Sequence, residues 1–353
     1  MKAAKSEVLF EHEGKAIFSF ELENDNGMKA TLSNYGGLIQ KLIIPDANGK
    51  LIDVVLGFDN LKDYLSENYL QNYPYFGAII GRYANRIAGA EFPLEGKTVK
   101  VDANTPPHQL HGGFAGFDKK VWDVVSTSQS PTAKVTFEYL SADGEEGFPG
   151  NLKVQLSFEL NNQNELSLYI EAVTDRPTAI NMTHHSYFNL NGDGSLIKDH
   201  LVEIKADYYL AQDADYVVTG ELLETKNGSH DFQKPTRIDQ NWEEGEGYDQ
   251  AFVLNKGTQT GKAATAFSPE SGITLEVITN QPGIQFYTGK YLNLQNGKGG
   301  VHYKPFSSFC LETQKHPNAV NIPAFESTIL RPGEKYQSHT ILKLSSKKVD
   351  QEN

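Results

Sequence analysis

Alternation of apolar and polar residues constrains the fold of this chain more than any other feature. Apolar side chains occupy every second position from Leu152 to Leu160 and, after the turn Asn161–Asn164, again from Leu166 to Ala172. Consecutive side chains of a strand point to opposite faces, so the two runs predict an antiparallel hairpin with one buried face.

Similar alternation recurs along the chain at residues 135–139, 273–278 and 340–344, with Gly-containing or Asn-containing turns between the runs. Helix signals are few, and the best of them, Phe58–Asn68, is short. Strand–helix alternation, a repeat of fixed period and a Pro/Ser-rich linker are all missing from the sequence. We therefore expect an all-β protein, one large antiparallel β-sandwich with a single domain spanning residues 1–353.

Composition narrows the classes of ligand. The 353 residues carry 45 acidic and 32 basic side chains, a net charge of −13, so nucleic acid and anionic membranes are not expected partners. The one cysteine, Cys310, excludes an internal disulfide framework and reads as a small buried apolar residue rather than a nucleophile. With no apolar stretch of membrane-spanning length, we expect a soluble protein, cytoplasmic by default, and periplasmic or secreted if a signal peptide has been removed.

Two adjacent histidines stand in the strand-like segment Asn181–Leu190. In an extended chain His184 and His185 face opposite ways, so at most one of them enters a given pocket. Tyr187 and Asn189 share the face of His185 and give it polar and aromatic neighbours, which favours His185. A histidine held only by a backbone hydrogen bond is the competing interpretation.

Further candidates carry groups suited to polar neutral ligands. Arg82, Asn85 and Arg86 lie in a Gly-bounded segment, where an arginine either binds hydroxyls or forms a structural ion pair. His108 and His111 stand beside two glycines, but no downstream Cys or His has metal-ligand spacing, so we expect no metal.

Carboxylates and an amide complete the set. Asp249 follows a Gly-containing loop. Gln285 stands beside Phe286 and Tyr287, which are most simply interpreted as core aromatics. Glu312 follows an apolar strand and feeds a Pro-containing loop, a reasonable position for a general base.

Together these segments resemble the aldose 1-epimerases, also called galactose mutarotases. The similarity runs in family order through LGFDNLKDYL, GRYANRIAGAEF, HQLHGG, DGEEGFPGNLKV, NMTHHSYFNL, GYDQAF, QPGIQFYTG and CLETQKHPNAVN. It implies the large β-sandwich of galactose mutarotases, with a sugar pocket on one face and no cofactor.

The resemblance also implies roles. His185 matches the family's general acid and Glu312 its general base. The positions matching sugar contacts are Asn85, Arg86, His111, Asp249, Gln285 and Phe286, and Tyr187 joins them through the face it shares with His185. Two segments depart from the family, at Gln250 and at residues 314–321, and either change could alter substrate preference.

The implied reaction interconverts the α and β anomers of hexoses such as D-galactose and D-glucose. A base removes the proton of the anomeric hydroxyl and an acid protonates the ring oxygen; the opened ring then recloses on the other face. A free histidine is mostly neutral at pH 7, so we expect Asp249 and Glu312 to favour the charged form of His185. We expect a bell-shaped pH–rate profile whose acidic limb is lost in Glu312→Gln.

Two alternatives stay open at the level of sequence. A glycoside hydrolase or lyase on a similar sandwich could use Glu312 and Asp249 as its carboxylate pair. A non-catalytic sugar-binding module is the other. The expected partner in each case is a small sugar, an aldohexose for the epimerase, and the chain is expected to be a monomer or a homodimer.

Overall fold

Strands make up most of the architecture. The structure is a computed structural model and describes residues 1–242 and 245–348. The strands of the first half are β1 Lys2–Lys5, β2 Phe10–His12, β3 Lys15–Ile17, β4 Ser19–Glu23, β5 Lys29–Ser33, β6 Ile39–Pro45, β7 Leu51–Asp53, β8 Ile79–Ile80, β9 Arg86–Ile87, β10 Glu91–Leu94, β11 Lys97–Lys100, β12 Gln109–Leu110, β13 Asp123–Ser128, β14 Ala133–Ser141 and β15 Leu152–Leu160.

The second half continues in the same way. Its strands are β16 Glu165–Thr174, β17 Thr178–Ala179, β18 Thr183–His184, β19 Leu201–Ile204, β20 Ala206–Gln212, β21 Val218–Glu224, β22 Thr236–Arg237, β23 Asp249–Leu254, β24 Gly261–Phe267, β25 Ile273–Thr279, β26 Gly283–Tyr287, β27 Cys310–Gln314, β28 Ile329–Leu330 and β29 Tyr336–Ser346.

Helical structure is sparse. The predicted helix in residues 58–68 forms as a 3-10 turn, Leu61–Leu65, followed by α1, Glu67–Asn72. Ser66 divides the two because its backbone is extended and its hydroxyl caps α1 by accepting the Tyr69 N–H. The other 3-10 turns are Ala88–Ala90, Phe117–Lys119, Glu145–Gly147, Lys298–Gly300 and Ala319–Asn321. Within the described ranges, no helix is both long enough and apolar enough to span a bilayer.

Three antiparallel sheets form the sandwich. The largest has nine strands in the order β13-β14-β15-β16-β29-β25-β24-β19-β22. Two five-stranded sheets, β1-β4-β5-β6-β7 and β21-β20-β23-β26-β27, share one apolar core with it. The fold is therefore the expected large antiparallel β-sandwich.

The hairpin predicted from the sequence forms the third and fourth strands of the large sheet. β15 and β16 pair in register from Leu152 opposite Thr174 to Leu160 opposite Leu166. Leu152, Leu156 and Leu160 are fully buried, as the alternation predicts. Burying such a side chain contributes about 1.5–3 kcal/mol to stability, which fixes the strand register, because a slip of one residue would expose the whole apolar row.

Candidate active site

Polar side chains from three neighbouring strands meet on one face of the sheet β21-β20-β23-β26-β27. Gln285, in the middle of β26, lies directly opposite Glu312 in β27. Asp249 begins β23 and lies opposite Tyr287, two residues beyond Gln285 on the same face. The Gln285 amide donates to Asp249 Oδ1 at 2.7 Å. The strand pairing thus sets two carboxylates and an amide side by side.

A histidine from another part of the chain reaches this set. β18 ends at His184, and the next backbone N–H, that of His185, donates to the Ala78 carbonyl at 2.9 Å. His185 Nε2 then lies 3.5 Å from Glu312 Oε1, and both residues are buried. His184 points away, with Nδ1 3.3 Å from the Ser186 hydroxyl. The structure therefore brings His185, and not its neighbour, to the carboxylate.

Asn85 and His111 are joined by two hydrogen bonds. The Asn85 N–H donates to His111 Nδ1 at 3.2 Å, and the His111 N–H donates to the Asn85 carbonyl at 3.1 Å. The Asn85 side-chain oxygen accepts the N–H of Arg86 at 2.8 Å. Because His111 Nδ1 is an acceptor, the proton of the neutral ring is on Nε2. His111 is thereby fixed as a hydrogen-bond donor.

These groups line a cavity of about 180 Å³. Such a volume is below that of a drug-sized ligand site and suits one small polar molecule. Eight of the nine site residues proposed from the sequence line it: Asn85, Arg86, His111, His185, Tyr187, Asp249, Gln285 and Glu312.

Phe286 is the exception and corrects the sequence interpretation. In β26 it alternates with Gln285 and Tyr287, so it faces the opposite side of the sheet. Its ring is fully buried against Tyr248 and Phe309 in the core. The aromatic that faces the cavity from this strand is Tyr287. The alternation that identified His185 also identifies Phe286 as a core residue.

Tyr75 is a cavity residue that the sequence analysis missed. It belongs to the run Asn72–Phe76, whose tyrosines resemble ordinary core aromatics. The available signal was Pro74 between two tyrosines, since a proline within such a run indicates a loop rather than a buried strand.

Three buried polar atoms of the cavity have no hydrogen-bond partner among the described residues. They are Arg86 Nε, Gln285 Oε1 and Glu312 Oε2. Leaving such an atom unpaired costs about 1–3 kcal/mol. A ligand with several hydroxyl groups supplies both the donors and the acceptor that these atoms need.

Burial dominates the protonation of the site. It lowers the pKa of His185 to about 3 and raises the pKa of Glu312 well above its usual value. The negative charge of Asp249 raises the pKa of Glu312 further. Burial also lowers the pKa of His111, and the proximity of His185 and Arg86 lowers it again.

The expected increase in the pKa of His185 is therefore wrong, because burial lowers that pKa to about 3. Burial raises the pKa values of Glu312 and Asp249 as well, so it opposes a negative charge on both carboxylates. Desolvation disfavours the charged form of every group in the cavity.

The same geometry does not favour a metal centre. One ligand atom each from His111, His185 and Glu312 lies within 4.8 Å of the others. A metal-bound histidine donates its second ring N–H to an acceptor, whereas His111 Nδ1 already accepts the backbone N–H of Asn85. The donor set does not suit a metal.

Several residues discussed from the sequence lie outside the cavity. His108 accepts the Gly89 N–H and approaches Asp215. The Asn189 amide donates to two core carbonyls, and the Gln250 side chain accepts the Asp249 N–H. Residues outside the lining are Arg82, His108, Asn189, Gln250, Cys310, Lys315 and His316. The two departures from the family pattern therefore lie beyond the cavity wall.

Comparison with known proteins agrees with this geometry. A sequence model of the aldose 1-epimerase family matches residues 19–343. The galactose mutarotase of Sus scrofa is 42% identical over 328 residues, covering 92% of each chain. The aldose 1-epimerase of Escherichia coli is 34% identical over 337 residues, covering 93% of this chain and 95% of that protein.

Solved structures share the fold. The aldose epimerase homologue of C. elegans superposes with a TM-score of 0.85 at 31% identity, covering 93% of this chain and 98% of that one. The galactose 1-epimerase of Lactobacillus acidophilus gives a TM-score of 0.84 at 27% identity, covering 98% of each chain. By sequence and by fold, this chain belongs to the aldose 1-epimerase family and is an isomerase of aldose anomers.

Proposed function

We propose that His185 is the general acid and Glu312 the general base of an epimerase that acts on hexoses such as D-galactose and D-glucose. The observation that carries the assignment is the 3.5 Å separation of His185 Nε2 and Glu312 Oε1 within the cavity. The ring oxygen and the anomeric hydroxyl are both bonded to C1, so one bound sugar can present both to this pair. Relatives named galactose mutarotase support the choice of galactose.

The reaction then follows from proton transfer alone. Glu312 takes the proton of the C1 hydroxyl while His185 delivers a proton to the ring oxygen, and the C1–O5 bond breaks to leave an aldehyde. Rotation about C1–C2 exposes the other carbonyl face, and the reverse transfers close the ring and return both groups to their starting state. Oxidation states do not change, so no redox cofactor is required.

The other cavity residues hold the sugar. Arg86 and His111 are donors and Asp249 is an acceptor. Gln285 Oε1, which has no partner among the described residues, accepts a hydrogen bond from a further hydroxyl. The Tyr187 ring adds an apolar surface for the C–H face of the sugar. Hydroxyls bound at Arg86, Gln285 and Glu312 pair the three buried polar atoms that have no partner among the described residues.

Sugar binding also prepares the acid and the base. Burial favours the uncharged pair, with one proton on Glu312. A C1 hydroxyl that donates to Glu312 stabilises the carboxylate, and a ring oxygen that accepts from His185 stabilises the imidazolium. The proton therefore moves to His185 as the sugar engages the pair.

The pH profile of kcat/KM should be bell-shaped with a broad plateau. The pair must hold one proton, so activity is lost at low pH when it gains a second and at high pH when it loses its only one. Burial lowers the pKa of His185 to about 3 and raises that of Glu312, so the acidic limb lies below 4.5 and the basic limb well above it. Initial polarimetric rates, corrected for spontaneous mutarotation, measure this. A narrow bell with its limbs near 4.5 and 6.5, the ordinary pKa values of a glutamate and a histidine, would contradict the prediction. The acidic limb belongs to the pair rather than to Glu312 alone.

Asp249→Asn should raise KM and move the basic limb to lower pH. The carboxylate of Asp249 raises the pKa of Glu312, so removing its charge lets Glu312 lose its proton at lower pH. Asp215→Asn is the matched control, because Asp215 is exposed and lies beside His108 outside the cavity. An unchanged basic limb in Asp249→Asn would refute this electrostatic coupling.

Polarimetry with fresh α-D-galactose and α-D-glucose tests the proposed function directly. We expect the native protein to accelerate the approach to anomeric equilibrium. Release of reducing sugar from galactosides or glucosides would instead favour a glycoside hydrolase. Sugar binding by calorimetry with no acceleration would favour a non-catalytic module.

Three expectations remain predictions. They are a single domain over residues 1–353, a monomer or homodimer in solution, and a cytoplasmic location. Limited proteolysis, sedimentation equilibrium and cell fractionation respectively address them.

A further inference from the structure

Two tyrosine rings stack on the imidazole of His185. The Tyr187 ring lies 5.1 Å away at an interplanar angle of 19°, and the Tyr75 ring lies 5.8 Å away at 24°. Tyr187 comes from the segment of His185 itself, two residues along the chain. Tyr75 comes from a separate loop, so its position is set independently.

Tyr75 is held by contacts beyond His185, one of which is the ring of His111, whose centroid lies 4.8 Å away. The Tyr75 backbone adopts a left-handed conformation, φ 61°, which a tyrosine rarely adopts. The Tyr73 ring packs edge-on against it at 4.8 Å, and the Tyr73 hydroxyl donates to the buried carboxylate of Asp118 at 2.6 Å. An uncommon backbone conformation maintained by neighbouring contacts at a functional site suggests that the ring has a specific task.

The task follows from the charge that His185 must carry. As a general acid it has to be protonated, yet burial opposes its charge and Glu312 has to be ionised at the same moment. The face of an aromatic ring is negative and attracts a cation stacked on it, without introducing a second titrating carboxylate. The groups around His185 are Glu312, His111, Cys310, His184, Tyr75 and Tyr187.

We propose that Tyr75 is a positioning residue that keeps His185 stacked and favours its protonated form during proton delivery to the ring oxygen. The proposal rests on the proposed acid role of His185. It concerns the ring face of Tyr75 and not its hydroxyl. Phenylalanine at position 75 should therefore preserve the effect on His185, and an aliphatic residue should not.

The experiment compares Tyr75→Phe with Tyr75→Leu. We expect Tyr75→Phe to keep a native kcat and Tyr75→Leu to lose about 5- to 30-fold, the range that a partly desolvated cation–π contact supports. Equal kcat values in the two variants would overturn the proposal. Should Tyr75→Leu fail to fold, Tyr75→Met, which also lacks a ring, takes its place.

A direct titration separates this effect from general loss of structure. NMR of ¹⁵N-histidine in Glu312→Gln reports the proton affinity of His185 without its titrating partner. Adding Tyr75→Leu should lower that affinity by about the same 5- to 30-fold, whereas adding Tyr75→Phe should leave it unchanged. An unchanged affinity in both would refute the proposal. Failure of the proposed function is distinguishable from failure of the Tyr75 proposal, because the native protein would then not accelerate mutarotation at all.

Discussion

Glu312→Gln and His185→Asn should each slow the epimerase by about 10²–10⁴-fold in kcat, the usual contribution of one positioned acid or base. Glutamine keeps the shape of the Glu312 side chain but cannot accept the proton of the anomeric hydroxyl. Asparagine at position 185 can donate a hydrogen bond but cannot transfer a proton to the ring oxygen. Both losses should appear in kcat, because most sugar contacts come from other cavity residues.

The adjacent histidine provides the matched control. His184 is as buried as His185 but does not line the cavity, so His184→Asn should keep its activity. The double variant of His185 and Glu312 should be little slower than the slower single variant, since the two groups act as one unit. Polarimetry of all four variants measures these rates. A Glu312→Gln protein with near-native kcat would eliminate Glu312 as the base.

Regular strands were predictable because burial imposes a period of two on the sequence. The hairpin β15–β16 and the strands β14, β25 and β29 all extend the runs read from the sequence. The order of strands in the sheets was not predictable, since non-local pairings such as β16 with β29 join residues more than 150 positions apart. Local patterns carry no information about such pairings.

The site was predictable where one residue type at one position has a specific chemical use. Alternation favoured His185 over His184, and Glu312, expected beyond an apolar strand, lies within β27. Their catalytic roles were implied by the family resemblance and stay predictions. Phe286 was placed among the sugar contacts only by the resemblance, and it faces the core, as its interpretation as a core aromatic predicts. Tyr75 was missed because a loop aromatic that contacts a functional histidine has the same local sequence as one that only packs.

Arg82 and Arg86 show this limit most clearly. In the sequence the two are alike, four residues apart in one Gly-bounded segment. In the structure Arg82 is fully buried and makes five hydrogen bonds, to Ser141, Ala142, Pro149 and Thr178. Burial lowers the pKa of Arg82 only to about 10, so it stays charged at neutral pH. Arg86 lines the cavity, and its Nε has no partner within the described residues.

Arg82→Met should therefore lower the free energy of unfolding by about 3–5 kcal/mol, the cost of breaking a buried charged network. Three carbonyl and two hydroxyl groups lose their donor, and the neighbouring Glu145 loses a cation. Urea denaturation measures this change.

Arg86→Met is the matched comparison. It should unfold at nearly the native urea concentration, yet lower kcat/KM by about 10- to 100-fold, because one charged donor to a sugar hydroxyl contributes about 1.5–3 kcal/mol. An equal loss of stability in both variants would show that Arg86 also supports the fold. The opposite pattern, with Arg82→Met stable and inactive, would place Arg82 in the catalytic machinery. The distinction between the two arginines rests on their partners, since a guanidinium whose donors are all used by the protein has none left for a sugar.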